Sequence, residues 1–246
     1  LKGYYSPGFN EVNFFMAFRH AFFHGLWSVF RTLRGRGAEM KQSDSNVRLT
    51  KFAVLLNGLL PPVLAAVDFS LGRMGANPLE FLIRMTGLMA IVSLTLTLLV
   101  TPLRRLLDQN WLIRVRRMTG LFAFWYGALH LSLYMWFDKS FDLKAVGIDV
   151  LRRPFIFFGM LAFLVMVPLA VTSTNRMVKR LGGKRWASLH RLTYVAAIAA
   201  AGHFYLFAKA DTTIPTLFAG VIGVLLVYRW FAAENVVKLD LSSTRK

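Results

Sequence analysis

Three histidines carry most of the chemistry this chain can do. His130 and His203 each lie inside an uncharged apolar run, and His190 stands at the start of the second run. An unpartnered imidazole is costly in hydrocarbon, so an ionisable side chain embedded in such a run marks a functional site by default. Its ring nitrogens are metal ligands, and the competing reading is a satisfied structural histidine. The chain has no cysteine, which removes disulfides, thiolate-held iron–sulfur clusters and haem attached through C-x-x-C-H. It also lacks a G-x-G-x-x-G turn and a Walker loop, and the short tail 233–246 has no room for a nucleotide domain.

The elements that must hold these rings are membrane spans. With 56% hydrophobic residues, 22 Phe and a mean hydropathy of +0.49, the chain is too apolar for an ordinary soluble domain. Six apolar segments, Phe52–Val67, Phe81–Val100, Met118–Phe137, Phe155–Val171, Leu189–Ala208 and Ile214–Trp230, approach the ~20 residues that cross a bilayer. Pro61 and Pro62 interrupt the first, which predicts a kinked span. The net charge of +18 is distributed among the loops instead of forming one basic face, which argues against nucleic acid. Eleven Lys and Arg residues lie in the loops after spans two and four, counting Arg191 at the edge of the fifth segment, against six in the alternate loops, so the positive-inside bias places both termini in the cytoplasm.

The expected architecture is therefore an all-α membrane protein, a six-transmembrane-helix bundle over residues 51–232, with a short cytoplasmic tail at 233–246. Residues 1–50 form a separate basic extension. There Val12–Arg34 has the composition of an interfacial amphipathic helix, and Met40 is an alternative start. His20 and His24, four apart within it, are weak metal candidates without a third ligand.

In this topology spans three and five run parallel, so depth can be counted from their basic ends. His130 lies 13 residues after Arg117 and His203 lies 12 after Arg191, which puts both roughly 18–20 Å from the cytoplasmic edge at 1.5 Å per residue. Two imidazoles at one level can supply both axial ligands of a haem iron, and a six-coordinate iron suits electron transfer. Gly127, Ala128 and the run Ala196–Gly202 suit close approach of a flat macrocycle, although on their own they read as tight helix packing. Counted along a continuous fifth helix, His190 is 13 residues below His203, about 20 Å away and turned by about 140°. It is a candidate for a second haem, a haem propionate contact or a donor site, against a solvated edge histidine. Arg152 and Arg153, opening span four, suit haem propionates or a plain interface role equally well.

Several ordered motifs carry a family resemblance. Thr101-Pro102-Leu103-Arg104-Arg105, Arg116-Arg117-Met118-Thr119-Gly120-Leu121, Leu129-His130, Arg153-Pro154-Phe155, Thr172-Ser173-Thr174 and Arg180-Leu181-Gly182 through Trp186 to Leu189-His190-Arg191-Leu192 resemble the MsrQ (YedZ) family over about residues 50–232. These are haem-binding membrane subunits of the bacterial periplasmic methionine-sulfoxide reductase system, within the wider ferric-reductase-like transmembrane domains. The resemblance implies a multi-pass protein of the bacterial inner membrane that carries one or two b haems. It would take electrons from the quinone pool or a cytoplasmic flavin reductase and pass them to MsrP, a periplasmic molybdenum-containing partner that repairs oxidised proteins. It further implies FMN as a cofactor, and carries the family histidines over to His130, His190 and His203. The rival readings are a ferric or other metal reductase component, a transporter and a non-haem membrane anchor. The six segments contain no Asp or Glu, which weighs against an ion-coupled transporter.

Overall fold

The computed structural model describes residues 44–74, 77–108, 112–208 and 211–243, and these form helices and turns without a strand. Residues 1–43 lie outside this set, and with them the Val12–Arg34 helix, His20, His24 and the Met40 start. The helices are α1 (Asp44–Ser70), α2 (Pro78–Leu107), α3 (Ile113–Leu133), a π-helical turn (Tyr134–Asp138), α4 (Leu143–Arg152), α5 (Pro154–Val171), α6 (Asn175–Leu181), α7 (Gly183–Leu189), α8 (Leu192–Phe207) and α9 (Thr213–Ser243). Two compact units divide between Thr86 and Gly87, within α2.

Among the described residues four stretches are long and apolar enough to cross a membrane: Thr50–Ser70, Pro78–Leu106, Pro154–Val171 and Thr213–Phe231. These correspond to four of the six expected spans. The other two are the histidine helices. α3 carries Arg114, Arg116 and Arg117 in its first turns, and α8 has only 16 residues. In the first unit α1 continues through Pro61 and Pro62 as one helix. Asn77 caps α2 through its side-chain oxygen, which accepts from the Glu80 backbone at 3.2 Å.

The fifth apolar segment is not one helix. α7 ends at Leu189, the chain turns at His190 and Arg191, and α8 starts at Leu192. Gly182 (φ +76°) separates α6 from α7 in the left-handed region open to glycine, and both short helices pack on each other. The expected straight-line separation of His190 from His203 therefore fails: the two do not share a helix.

The second unit packs α5 along α8, α8 against α9 and α3 against α5. Its core is Ile91, Leu94 and Leu98 from α2, Ala123 from α3, Met166 from α5, Ala196 and Ala197 from α8, and Ile222 and Leu225 from α9. Fully buried alanines let backbones approach closely, as spanning helices require when lipid offers no hydrophobic gain on association. Hydroxyls inside the helices satisfy themselves by donating one turn back, as Thr95 does to Ile91 O at 2.8 Å and Ser132 to Ala128 O at 2.8 Å. Thr97 also donates to Thr119 at 3.0 Å, joining α2 to α3.

After α3 the chain passes through the π-helical turn into α4. Asp142 caps α4 by accepting from the backbones of Lys144 and Ala145. Asp149 faces inward and accepts from Lys139 Nζ at 2.7 Å and the Tyr134 hydroxyl at 2.8 Å, with Arg153 Nε at 3.3 Å. The Lys139 bond, then the Tyr134 bond, holds the Asp149 carboxyl below its ordinary range, and the same contact raises the Lys139 ammonium. A carboxyl lowered on folding stabilises above its unfolded value and loses that contribution as pH falls through the folded one. A raised lysine stabilises below its unfolded value and loses the contribution as pH rises through the folded one. Asp149→Asn should therefore lower the unfolding temperature at neutral pH and flatten the loss of stability below about pH 4. Thermal unfolding in detergent across the acid range checks this, and an unaltered acid limb in the variant contradicts it.

Candidate functional site

His130, near the end of α3, and His203, near the end of α8, face each other with ring centroids 6.0 Å apart and planes at 78°. Each ring is also seated against a glycine on a further helix. A Cβ added to Gly87 of α2 would lie 3.0 Å from His130 Cε1, and one added to Gly159 of α5 would lie 2.7 Å from His203 Nδ1. Both rings thus rest directly on helix backbone, where any side chain would displace them.

His203 is also oriented. Its Nδ1 lies 2.6 Å from the carbonyl oxygen of Phe155, which can only accept, so Nδ1 carries the proton and Nε2 is the nitrogen whose lone pair could ligate a metal. Phe155 precedes Gly159 by one helical turn, so the missing side chain at Gly159 opens the path to that carbonyl. The Phe155 ring packs on His203 at 6.3 Å and on Phe207 at 5.9 Å.

Two imidazoles that would hold one metal between them need a definite spacing. A metal–nitrogen bond of roughly 2.0–2.1 Å on each side, plus about 1.1 Å from nitrogen to ring centre, separates the centroids by about 6.3 Å. The 6.0 Å found is consistent with that. The pair offers two imidazole donors, which fits an iron whose other ligands come from a macrocycle.

Sequence reasoning singled out the two histidines but missed Gly87, Gly159 and the Phe155 carbonyl. Of the two roles open to the small residues next to the histidines, helix packing is the one their contacts show. The space beside Gly127 is filled by Met166 Cε at 3.3 Å and Phe163 at 3.7 Å, and Gly202 lies against the Phe158 ring at 3.6 Å. Those glycines serve helix packing. Arg153 is engaged with Asp149, and Arg152 is exposed.

His190 belongs to a different cluster. The Trp186 ring stacks on it at 3.9 Å, and Trp186 Nε1 donates to Thr172 O at 2.9 Å. The Thr172 hydroxyl donates to Pro168 O at 2.6 Å, which leaves its oxygen to accept from His190 Nε2 at 3.1 Å. Burial first, then the positive charges of Arg116 and Arg117, lower the affinity of this imidazole for a proton; it lies in the turn before α8, outside the spanning helix. Arg117 in turn donates to the Asn175 side chain at the start of α6.

Arg229 of α9 closes the same end of the second unit. Pro102 has no N–H to give the carbonyl one turn back, at Leu98. Arg229 Nη2 supplies the missing donor at 2.8 Å and also donates to Thr101 Oγ1 at 2.9 Å, while Nη1 donates to the Tyr194 hydroxyl at 3.1 Å. Its guanidinium lies over the Tyr194 ring, 5.3 Å from the centroid. Arg229→Met should destabilise the protein by about 2–3 kcal/mol, since a charge-assisted bond is lost and a buried carbonyl is stranded. In a Pro102→Ala background, where the backbone regains its own donor, the cost should be visibly smaller. Equal drops in unfolding temperature in both backgrounds would sink the assignment.

A family model described as the ferric reductase like transmembrane component matches residues 86–201, a stretch that includes His130 and His190 and stops two residues short of His203. Three curated relatives, each described as the protein-methionine-sulfoxide reductase heme-binding subunit MsrQ, are similar over most of the chain. The relative from Herminiimonas arsenicoxydans is 47% identical over 78% of this chain and 88% of its own length. Those from Ralstonia nicotianae and Rhodospirillum rubrum are each 46% identical, over 75% and 78% of this chain and 86% and 91% of theirs. No solved structure matches.

Proposed function

The chain belongs to the MsrQ family, and from that premise we propose that it is a transmembrane electron-transfer subunit holding b-type haem between His130 and His203. The observation that carries this reading is the pair of facing imidazoles, 6.0 Å apart, each backed by a glycine. Six spans with both termini in the cytoplasm complete the proposal. α3 and α8 cross as the third and fifth spans because they pack among the apolar helices α5 and α9.

Haem iron held between the rings would supply reversible one-electron chemistry. The residues do the rest. Phe155 fixes the His203 tautomer and raises the basicity of its ligating nitrogen, Gly87 and Gly159 set both ring positions, and the packed helices keep water away. Electrons enter at the cytoplasmic basic end from the quinone pool, or from a cytoplasmic flavin reductase with FMN. They leave to MsrP, the periplasmic molybdenum-dependent subunit that reduces methionine sulfoxide in oxidised proteins. His190 and Trp186 belong to the entry end, where a second haem or a donor would sit. The protein then resides in the bacterial inner membrane.

A pyridine haemochrome assay on the purified protein tests the ligand pair. His130→Ala and His203→Ala should each abolish this haem, whereas His190→Ala should leave it. Haem content unchanged in the first two variants would refute the ligand assignment, and none in wild-type protein made with ample haem would refute the electron-transfer reading itself.

The seating of His203 generates a separate expectation. Gly159→Ala pushes the ring away from Phe155, weakens the Nδ1–H bond and makes the ligand less basic, so the haem midpoint potential should rise. Spectroelectrochemical titration reads this directly; an unchanged potential and spectrum would mean that Gly159 has no part in the site.

A further inference from the structure

The helix α4 is turned inside out for a protein surface. A helix bathed in water buries its apolar stripe and shows its charges. Here the inward face presents Asp149, held by Lys139, Tyr134 and Arg153, beside Val146. The outward face presents Leu143, Ile148 and Leu151, with Leu151 87% exposed, and Lys144 and Arg152 beside them. The turn leading into α4 repeats the pattern: Trp136, Phe137 and Phe141 are all more than half exposed, and the Trp136 and Phe141 rings stand 5.6 Å apart.

That display is held at a cost. Ser140 (φ +48°) and Phe141 (φ +60°) occupy the left-handed region, where a bulky side chain is an outlier. The conformation is fixed by the Phe141 N–H donating to Met135 O at 2.9 Å and the Asp142 N–H to Lys139 O at 2.8 Å. The surroundings thus impose a strained backbone that directs an aromatic ring outward.

We infer that residues 136–151 form an interfacial anchor whose apolar face lies in the lipid headgroup and acyl boundary, with α4 lying on the leaflet and the Asp149 cluster on its protein side. Two observations and one consequence of the proposed function select lipid over a protein partner. Exposed Trp and Phe next to an apolar helix with flanking Lys144 and Arg152 are the composition of a membrane interface, where long cations reach the headgroups. The outward face is continuous with a spanning helix: α5 begins two residues after α4 ends, and its Phe157 and Leu164 are exposed on the span. An electron-transfer partner docks briefly through a small patch, and would leave this face in water between encounters. The inference does not rest on haem.

The absence of cysteine makes the test direct, because an introduced thiol is the chain's sole labelling site. Leu143→Cys and Leu151→Cys, each nitroxide-labelled, are compared with Leu164→Cys on the span and with free nitroxide in water. The full-length protein is used in phosphatidylethanolamine–phosphatidylglycerol vesicles after passing size exclusion. Collision with oxygen should exceed collision with a water-soluble nickel chelate several-fold at both positions, as at Leu164. Chelate-dominated collision would overturn the anchor by placing the face in water. Exclusion of both reagents would overturn it by showing a protein cover, either a second copy or a partner. Quenching of Trp136 by brominated lipid, taken as wild type minus Trp136→Phe, gives an answer without labelling: quenching supports the anchor, and its absence overturns it.

Discussion

Placing a titratable ring inside an apolar bundle requires that one of its nitrogens be satisfied by protein, and the bond from His203 Nδ1 to Phe155 O meets that requirement. Much of the second unit is arranged around it. α5 must start at Pro154, so that Phe155 falls in its first turn, and Pro is suited to that first position because its missing N–H is not needed there. Gly159 must follow one turn later, since any side chain there would occupy the space of the ring. α5 must then lie along α8 over its length, and that pairing is the most extensive between helices in the structure. A backbone carbonyl, a proline and a glycine thus determine how an imidazole is presented.

The same demand explains the polar groups at the other end. Pro102 breaks the backbone ladder of α2 at Leu98, and the repair comes from a helix more than a hundred residues later, through Arg229. A lysine there could reach one acceptor, but the planar guanidinium fork spans the Leu98 carbonyl, the Thr101 hydroxyl and the Tyr194 hydroxyl together. The Arg229 Nε has no hydrogen-bond partner among the described residues, which is the residual cost of burying this cation. Charge inside the bundle is therefore tied to a specific backbone defect.

Much of this was legible in the sequence, and what was not has identifiable causes. The facing of His130 and His203 followed from counting residues from basic ends, because depth in a membrane is nearly linear in helix position. The glycines behind the rings were invisible, since a glycine in an apolar run carries no mark of what will face it. Gly127 and Gly202 drew attention by lying next to the histidines, yet they pack against Met166 and Phe158. The break at His190 was missed because Leu189 continues the hydrophobic run without a Pro or Gly at the junction. The one available signal was Gly182-Gly183, which starts a helix too short to reach past Leu189. Arg229 was passed over as the end of an apolar segment, although Pro102 foretold a carbonyl in need of a donor.

His130 and His203 stand 73 positions apart, on helices whose principal packing is through α5 instead of directly on each other. A group ligated by both is then a staple across the interior of the chain. No ribosome-bound intermediate ending before α8 possesses both histidines, so under the proposed ligation loading would wait until the later spans are inserted and α5 has delivered its carbonyl. From that moment cofactor and helix association would hold one another in place. A cell short of the cofactor would accumulate a looser bundle, open to membrane proteolysis, so that the abundance of the protein itself would report cofactor supply.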